Sequence, residues 1–201
     1  MCASETLGTA ADKHFGDLKS QLAQFYIRRN AFSKGEFRLT GGEQSNYYID
    51  GRLVTTHPPA LGVATQCIVS VMHKYSILGN VTRIVVPVLS GVTLGVALSL
   101  KTGLDLVMDR GVAKIHGMGK RFEGSISRED RAVIVDDLLT SGATILRTME
   151  GLTEREIRYD TAIVLVDRLE GGRERLEARG LRLITIITLN DILRELESSL
   201  H

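Results

Sequence analysis

The sequence is poor in cysteine: Cys2 and Cys67 are its only two in 201 residues. Two thiols make no disulfide scaffold, and without a Cys-x-x-Cys pair there is no zinc ribbon. Excess charge is also missing. Lys plus Arg is 25 and Asp plus Glu is 24, a net of +1. That balance gives no global basic field for nucleic acid and no acidic solvating tail, while leaving room for a local anion site. No run approaches the roughly 20 apolar residues of a membrane helix. Residues 1–11 lack the basic segment and apolar run of a secretion signal. The expectation is a soluble, cytoplasmic protein with neither nucleic acid nor membrane as partner. The common nucleotide loops are absent too: there is no G-x-x-x-x-G-K-[ST], and no G-x-G-x-x-G after a strand.

What is present reads as an ordinary globular domain, with 43% apolar and 24% charged residues. Residues 1–14 are small and polar and are expected as a flexible N-terminal tail, leaving 15–201 as a single domain. Leu18, Leu22, Phe25, Tyr26 and Arg29 share one helical stripe. Phe37 and Leu39, then Tyr47 and Ile49, flank the turn Thr40-Gly41-Gly42 and predict two short strands. Pro58-Pro59 opens a helix running to Tyr75. Strands are then expected at Arg83–Val88, Leu104–Met108, Arg131–Val135, Thr161–Val166 and Leu181–Ile187. Helices are expected at Val92–Leu100, Ala143–Leu152, Arg173–Arg179 and Leu189–Ser199, the last capped by Thr188. Gly111–Arg128 has no period and reads as a long loop. Such alternation predicts an α/β fold with a central, mainly parallel sheet flanked by helices and a small N-terminal flap. Ligands in such folds bind at the carboxyl ends of the strands.

The chemistry concentrates in Ala132-Val133-Ile134-Val135-Asp136-Asp137-Leu138-Leu139-Thr140-Ser141-Gly142-Ala143-Thr144. An apolar strand delivers two adjacent carboxylates, and a hydroxyl-rich loop with one glycine leads into a helix. Free N–H groups at a helix start, with the hydroxyls of Thr140, Ser141 and Thr144, suit a phosphate monoester. Asp136 and Asp137 cannot bind phosphate, but they can accept hydrogen bonds from the vicinal hydroxyls of a sugar. Together they point to a ribose 5-phosphate ligand.

This segment resembles the phosphoribosyl-pyrophosphate signature of the type I phosphoribosyltransferases. Three further stretches narrow the resemblance to the orotate phosphoribosyltransferases. These are Phe37-x-Leu39-x-Gly41-Gly42-x-x-Ser45-x-Tyr47-Tyr48-Ile49-Asp50, Arg110-x-x-x-Lys114-x-His116-Gly117, and Val166-Asp167-Arg168-x-Glu170-Gly171-Gly172. The resemblance implies the type I phosphoribosyltransferase fold with an N-terminal hood. It implies transfer of the 5-phosphoribosyl group from phosphoribosyl pyrophosphate to orotate, giving orotidine 5′-monophosphate and pyrophosphate, a step of pyrimidine synthesis. It also implies a homodimer with shared sites and Mg²⁺ delivered with the phosphoribosyl pyrophosphate, with no dedicated protein ligand for the metal. The catalytic residues it implies are Arg110, Lys114 and His116, on a loop able to close over the site. The same three, with residues Asp136, Asp137, Leu138, Leu139, Thr140, Ser141, Gly142, Ala143 and Thr144, would bind phosphoribosyl pyrophosphate. Thr140 and Arg168 would bind orotate.

Three stretches depart from the family pattern. Gly111 stands where a lysine usually follows the loop arginine. Thr40 stands where many members have lysine. Pro87 and Ser90 stand in a pyrophosphate loop that generally carries glycine. A transferase for another base, or a sensor that binds phosphoribosyl pyrophosphate without turnover, are the alternative readings. Too few residues precede the first core helix for the DNA-binding element that such sensors add. Asp105 and Asp109 are expected as strand-edge charges, and His57 and His73 as structural residues. Phe37, Tyr47 and Tyr48 are expected to pack the flap.

Overall fold

The computed structural model describes residues 3–38, 44–111 and 121–199. In chain order the elements are α1 (Ala3–Arg28), β1 (Phe32–Arg38), β2 (Gln44–Ile49), α2 (Arg52–Thr55), α3 (Pro58–Lys74), β3 (Arg83–Pro87), α4 (Val92–Thr102), β4 (Asp105–Asp109), β5 (Phe122–Glu123), β6 (Arg131–Leu139), α5 (Ala143–Glu154), β7 (Arg158–Asp167), α6 (Gly172–Glu177), β8 (Arg182–Thr188) and α7 (Leu189–Ser198). The main sheet has the order β5-β4-β3-β6-β7-β8. All its pairings are parallel except that of β4 with β5. β1 and β2 form a separate antiparallel pair, the expected flap. Within it Tyr47 stacks on Phe32, with ring centroids 5.6 Å apart, and Tyr48 meets Phe37 at 5.5 Å.

The strands read as continuous apolar runs because both faces of the sheet are covered. Side chains alternate between the faces. Val133, Val135, Ile163 and Leu165 point into a core shared with Leu22 and Tyr26 of α1, Ile68 and Met72 of α3, Leu94 of α4 and Ile192 of α7. Ile134, Ala162 and Val164 point the other way, onto Ile145, Met149 and Leu152 of α5 and Leu176 of α6. Each such Val, Leu, Ile or Met side chain contributes about 1.5–3 kcal/mol on burial. Helix ends follow the local chemistry. Pro58 and Pro59 occupy the first turn of α3. Thr188 caps α7 in a capping box, its Oγ1 accepting from Asp191 N–H at 3.3 Å while Asp191 Oδ2 accepts from Thr188 N–H at 2.7 Å.

Several boundaries differ from the sequence expectation: β1 begins at Phe32, α2 has no counterpart in it, and others shift by a residue or two. α1 begins at Ala3, so residues 3–14, expected as a tail, carry helical backbone ahead of the apolar stripe. β6 continues through the two aspartates to Leu139, because parallel pairing with β7 persists as far as Leu139↔Asp167. β7 likewise begins at Arg158, before its apolar run. The segment expected as one loop after Gly111 contains β5, which pairs Met108↔Glu123 and Asp109↔Phe122. A two-residue strand is too short to show a period.

Candidate active site

Four connections meet at the carboxyl ends of the parallel strands: those after β3, β4, β6 and β7. The acidic pair sits where β6 ends. Asp136 and Asp137 are 2% and 4% exposed. Ser90, on the connection after β3, donates its hydroxyl to Asp136 Oδ1 at 2.6 Å, and the Asp137 N–H donates to the same oxygen at 2.9 Å. Ser90 thus engages the acidic pair directly, a role its position outside the family pattern concealed. Gly51 approaches from the flap side. A Cβ there would stand 2.5 Å from Asp137 Oδ2, so only glycine allows this contact.

Burial pushes the Asp136 carboxyl up to about 6, against the opposing bonds from Ser90 and the Asp137 N–H. Burial and the adjacent Asp136 charge push Asp137 well above the usual carboxylate range. Two carboxylates this close and this dry resist carrying two charges at once. A ligand that donates hydroxyl protons to them, or brings a cation, relieves that penalty. Tyr26, fully buried in α1 with no partner for its hydroxyl among the described residues, lies in the same field. Burial first, then Asp137 and Asp50, raise its phenol well above the ordinary value.

Thr140, Ser141 and Gly142 lead from β6 into α5, whose first turn contains Ala143 and Thr144. Gly142 is the N-cap, with φ 78° and ψ 0°, and no side chain caps the helix. That left-handed conformation suits glycine and leaves the first N–H groups of α5 for a ligand. α6 fixes the loop from behind. Gly172 lies so close to the Thr140 carbonyl that a methyl group at 172 would strike it. Arg175 Nη1 donates to the Ser141 carbonyl at 2.9 Å. The Leu139 side chain is core, 1% exposed, and Leu138 packs on the opposite face, so neither side chain is offered to a ligand.

Arg168 follows β7, and its side chain is buried. Its Nη2 donates to Ser45 Oγ at 3.1 Å and the Tyr47 carbonyl at 3.0 Å, and lies 2.8 Å from Glu170 Oε1. It therefore ties the flap to the base of the sheet. Its Nε is buried with no hydrogen-bond partner among the described residues, as is Glu170 Oε2. A planar ligand reaching this corner finds an oriented, unsatisfied donor beside an unsatisfied acceptor.

Arg110 follows β4 and lies 3.3 Å from Glu123 Oε1. It lines a cavity of about 160 Å³ with Pro87, Val88, Gly111, Thr144 and Arg147. Lys114 and His116 lie outside the described residues, as does Thr40. Asp109, expected as an edge charge, is instead 2% exposed, because β5 covers β4. Asp105 is exposed, 3.4 Å from Arg83. His57 precedes α3 with its ring 5.7 Å from Phe25, and His73 lies in the last turn of that helix. Ser45, Gly51 and Glu170 are members of the site that the sequence reading did not single out, and Ser90 stood there only as a departure from the family pattern. Ser45 and Glu170 stood inside quoted motifs, and that was the available signal.

No family model matches the chain. Individual proteins do. The orotate phosphoribosyltransferase of Pyrococcus abyssi is 35% identical over 175 residues, covering 87% of this chain and 95% of its own. The crystal structure of orotate phosphoribosyltransferase from Aeropyrum pernix superposes with a TM-score of 0.74 at 30% identity, covering 88% of this chain and 99% of that one. The UMP synthase of Leishmania donovani gives a TM-score of 0.78 at 25% identity over 90% of this chain and 38% of that longer one. Identity at this level along nearly the whole of both chains means that the protein belongs to the orotate phosphoribosyltransferase family.

Proposed function

We propose that this site transfers the 5-phosphoribosyl group from phosphoribosyl pyrophosphate to orotate, giving orotidine 5′-monophosphate and pyrophosphate. The observation that carries the reading is the juxtaposition at the end of β6: two buried carboxylates followed, after a short hydroxyl-bearing loop, by a helix start with no side-chain cap. The carboxylates of Asp136 and Asp137 accept from the ribose hydroxyls. The N–H groups and hydroxyls from Thr140 to Thr144 hold the 5′-phosphate. The buried Nε of Arg168, held by Glu170 and the flap, donates to orotate, with Thr140 beside it. Arg110, Lys114 and His116 supply donors for the departing pyrophosphate, where negative charge accumulates. Exclusion of water protects the activated sugar from hydrolysis.

Among the described residues no group of three or more His, Cys, Asp or Glu could hold a metal. A Mg²⁺ ion arriving on pyrophosphate oxygens fits such a chain, since it keeps several waters and takes one or two carboxylates. Bound there it would neutralise charge on the leaving group. No helix among the described residues is long and apolar enough to cross a membrane, and we place the enzyme in the cytoplasm as a single working domain over residues 15–201.

We infer a homodimer, and one exposed apolar surface supports that reading. Leu89, Val96 and Leu100 are 79%, 46% and 84% exposed, along α4 and the connection that carries Ser90. A second copy of the chain is the occupant proposed for that face. Leu100→Glu is expected to shift the sedimentation mass to that of a monomer, and an unchanged mass would place the interface elsewhere.

Incubation with phosphoribosyl pyrophosphate, Mg²⁺ and orotate is expected to yield orotidine 5′-monophosphate and pyrophosphate in equal amounts by mass spectrometry. Pyrophosphate without the nucleotide, or neither product, counts against the reading. Arg168→Ala is expected to raise KM for orotate by about 10- to 100-fold, the effect of losing one charge-assisted bond. KM for phosphoribosyl pyrophosphate should stay within about threefold. An equal loss for both substrates would remove Arg168 from the base site.

A further inference from the structure

Behind the proposed pyrophosphate position lies an ion pair that the reaction as described does not use. Asp109, the last residue of β4, accepts from Arg121 Nε at 2.8 Å and Nη2 at 3.1 Å, from the Gly111 N–H at 2.9 Å and from Thr148 Oγ1 at 2.8 Å. The Arg110 N–H donates to the Arg121 carbonyl at 3.1 Å. α5 is shaped to seat this pair. Besides Thr148 it supplies the Arg147 carbonyl, to which Arg121 also donates. At Gly151 a Cβ would lie 2.6 Å from Arg121 Nε, so the guanidinium rests where that helix has no side chain. Burial alone would raise the Asp109 carboxyl, but the bonds from Arg121, Gly111 and Thr148 together hold it below its ordinary value.

Resting on the function proposed above, we infer that Asp109 and Arg121 are positioning residues for the transfer. They pin Arg110, Gly111 and Arg121 onto α5, the helix whose first turn belongs to the proposed phosphate site. The pair thereby sets Arg110 opposite Thr144 and Arg147 across the 160 Å³ cavity. A well-packed apolar pair could serve stability as well as a buried ion pair does. It could not hold the Gly111 N–H and the Thr148 hydroxyl at one point, nor fix direction as a two-pronged guanidinium–carboxylate contact does. Misplacement of a reacting group by about 1 Å can cost on the order of 10²-fold in rate.

The test uses Asp109→Asn, the milder Thr148→Val, and the double variant Asp109→Leu with Arg121→Met. Each is measured for kcat, both KM values, thermal midpoint, and amide exchange at Arg110 and Gly111. Asp109→Asn should lower kcat by about 10²-fold with KM for orotate within about twofold. Exchange at the two amides should quicken by about tenfold or more. Thr148→Val should show the same pattern more weakly. The double variant should recover the thermal midpoint and not kcat. Recovery of kcat with the midpoint, or wild-type exchange in Asp109→Asn, would overturn the inference by making the pair merely structural. Should the wild-type protein make no product from orotate, the functional reading fails by itself. Amide exchange then still decides the pinning: quickened exchange supports it and unchanged exchange rejects it.

Discussion

The double replacement Asp136→Asn, Asp137→Asn is expected to lower kcat/KM for phosphoribosyl pyrophosphate by about 10²–10⁴-fold and to raise the thermal midpoint. Both effects come from the burial of the pair. A hydroxyl donating to a carboxylate contributes about 1.5–3 kcal/mol, and each 1.4 kcal/mol is tenfold. Two such bonds to the ribose give the stated range. The free protein meanwhile holds these carboxylates dry, with few donors to offset their desolvation. Uncharged amides of the same shape remove that penalty, the usual conflict between stability and a working site. The sign with pH follows. Asp136 has a folded value of about 6 against an ordinary 3.8, so between these values the native state binds more protons than the unfolded one. The Asp136 contribution to stability therefore falls as pH rises through that window and levels off above it, and the raised Asp137 acts in the same direction. Thermal midpoints at pH 5 and pH 7 should show this trend in the native protein and a weaker one in the double variant. Ribose binding needs the carboxylates ionised, so KM for phosphoribosyl pyrophosphate should climb as pH drops below about 6. A double variant with unchanged kcat/KM would take the pair out of the site.

Lys114→Ala is expected to reduce kcat by about 10²–10³-fold with both KM values within a few-fold. In a site closed to water, a cation aimed at a developing charge acts far more strongly in the transition state than in the ground state. Removing one such donor costs about that much. The effect should fall on kcat because pyrophosphate gains charge only as the bond to the sugar breaks. Gly111 makes Lys114 more important still, since it stands where the family usually places a second cation. Steady-state kinetics separates the cases: a loss confined to KM would mean that Lys114 only holds the substrate. Unchanged kinetics would remove it from the mechanism.

The acidic pair and the hydroxyl loop leading into α5 were legible in the sequence because strand, carboxylates, hydroxyls, glycine and helix start are contiguous there. The parallel sheet was legible for a related reason, since strands buried on both faces are apolar runs in any context. Contacts made across the fold were not. Ser90 meets Asp136 only because β3 and β6 are neighbours. Arg168 meets Ser45 and Tyr47 only because the flap folds over β7. Asp109 reads as an edge charge until β5 is known to cover it, and β5 has two residues. Pairing with Arg121 leaves no periodic trace, because one partner ends a strand and the other precedes the next. Residues 3–14 are mostly small or polar, so the sequence there shows no amphipathic stripe against which to place a helix start.

The most direct measurement is pyrophosphate release from phosphoribosyl pyrophosphate and Mg²⁺, with orotate, uracil, adenine, guanine and hypoxanthine supplied in turn. Release with orotate and with none of the other four is the expected result. Release with one of those four and not with orotate would keep the phosphoribosyl site and contradict the assignment of Arg168 and the flap to orotate. Binding of phosphoribosyl pyrophosphate with no release for any base would contradict the transferase itself.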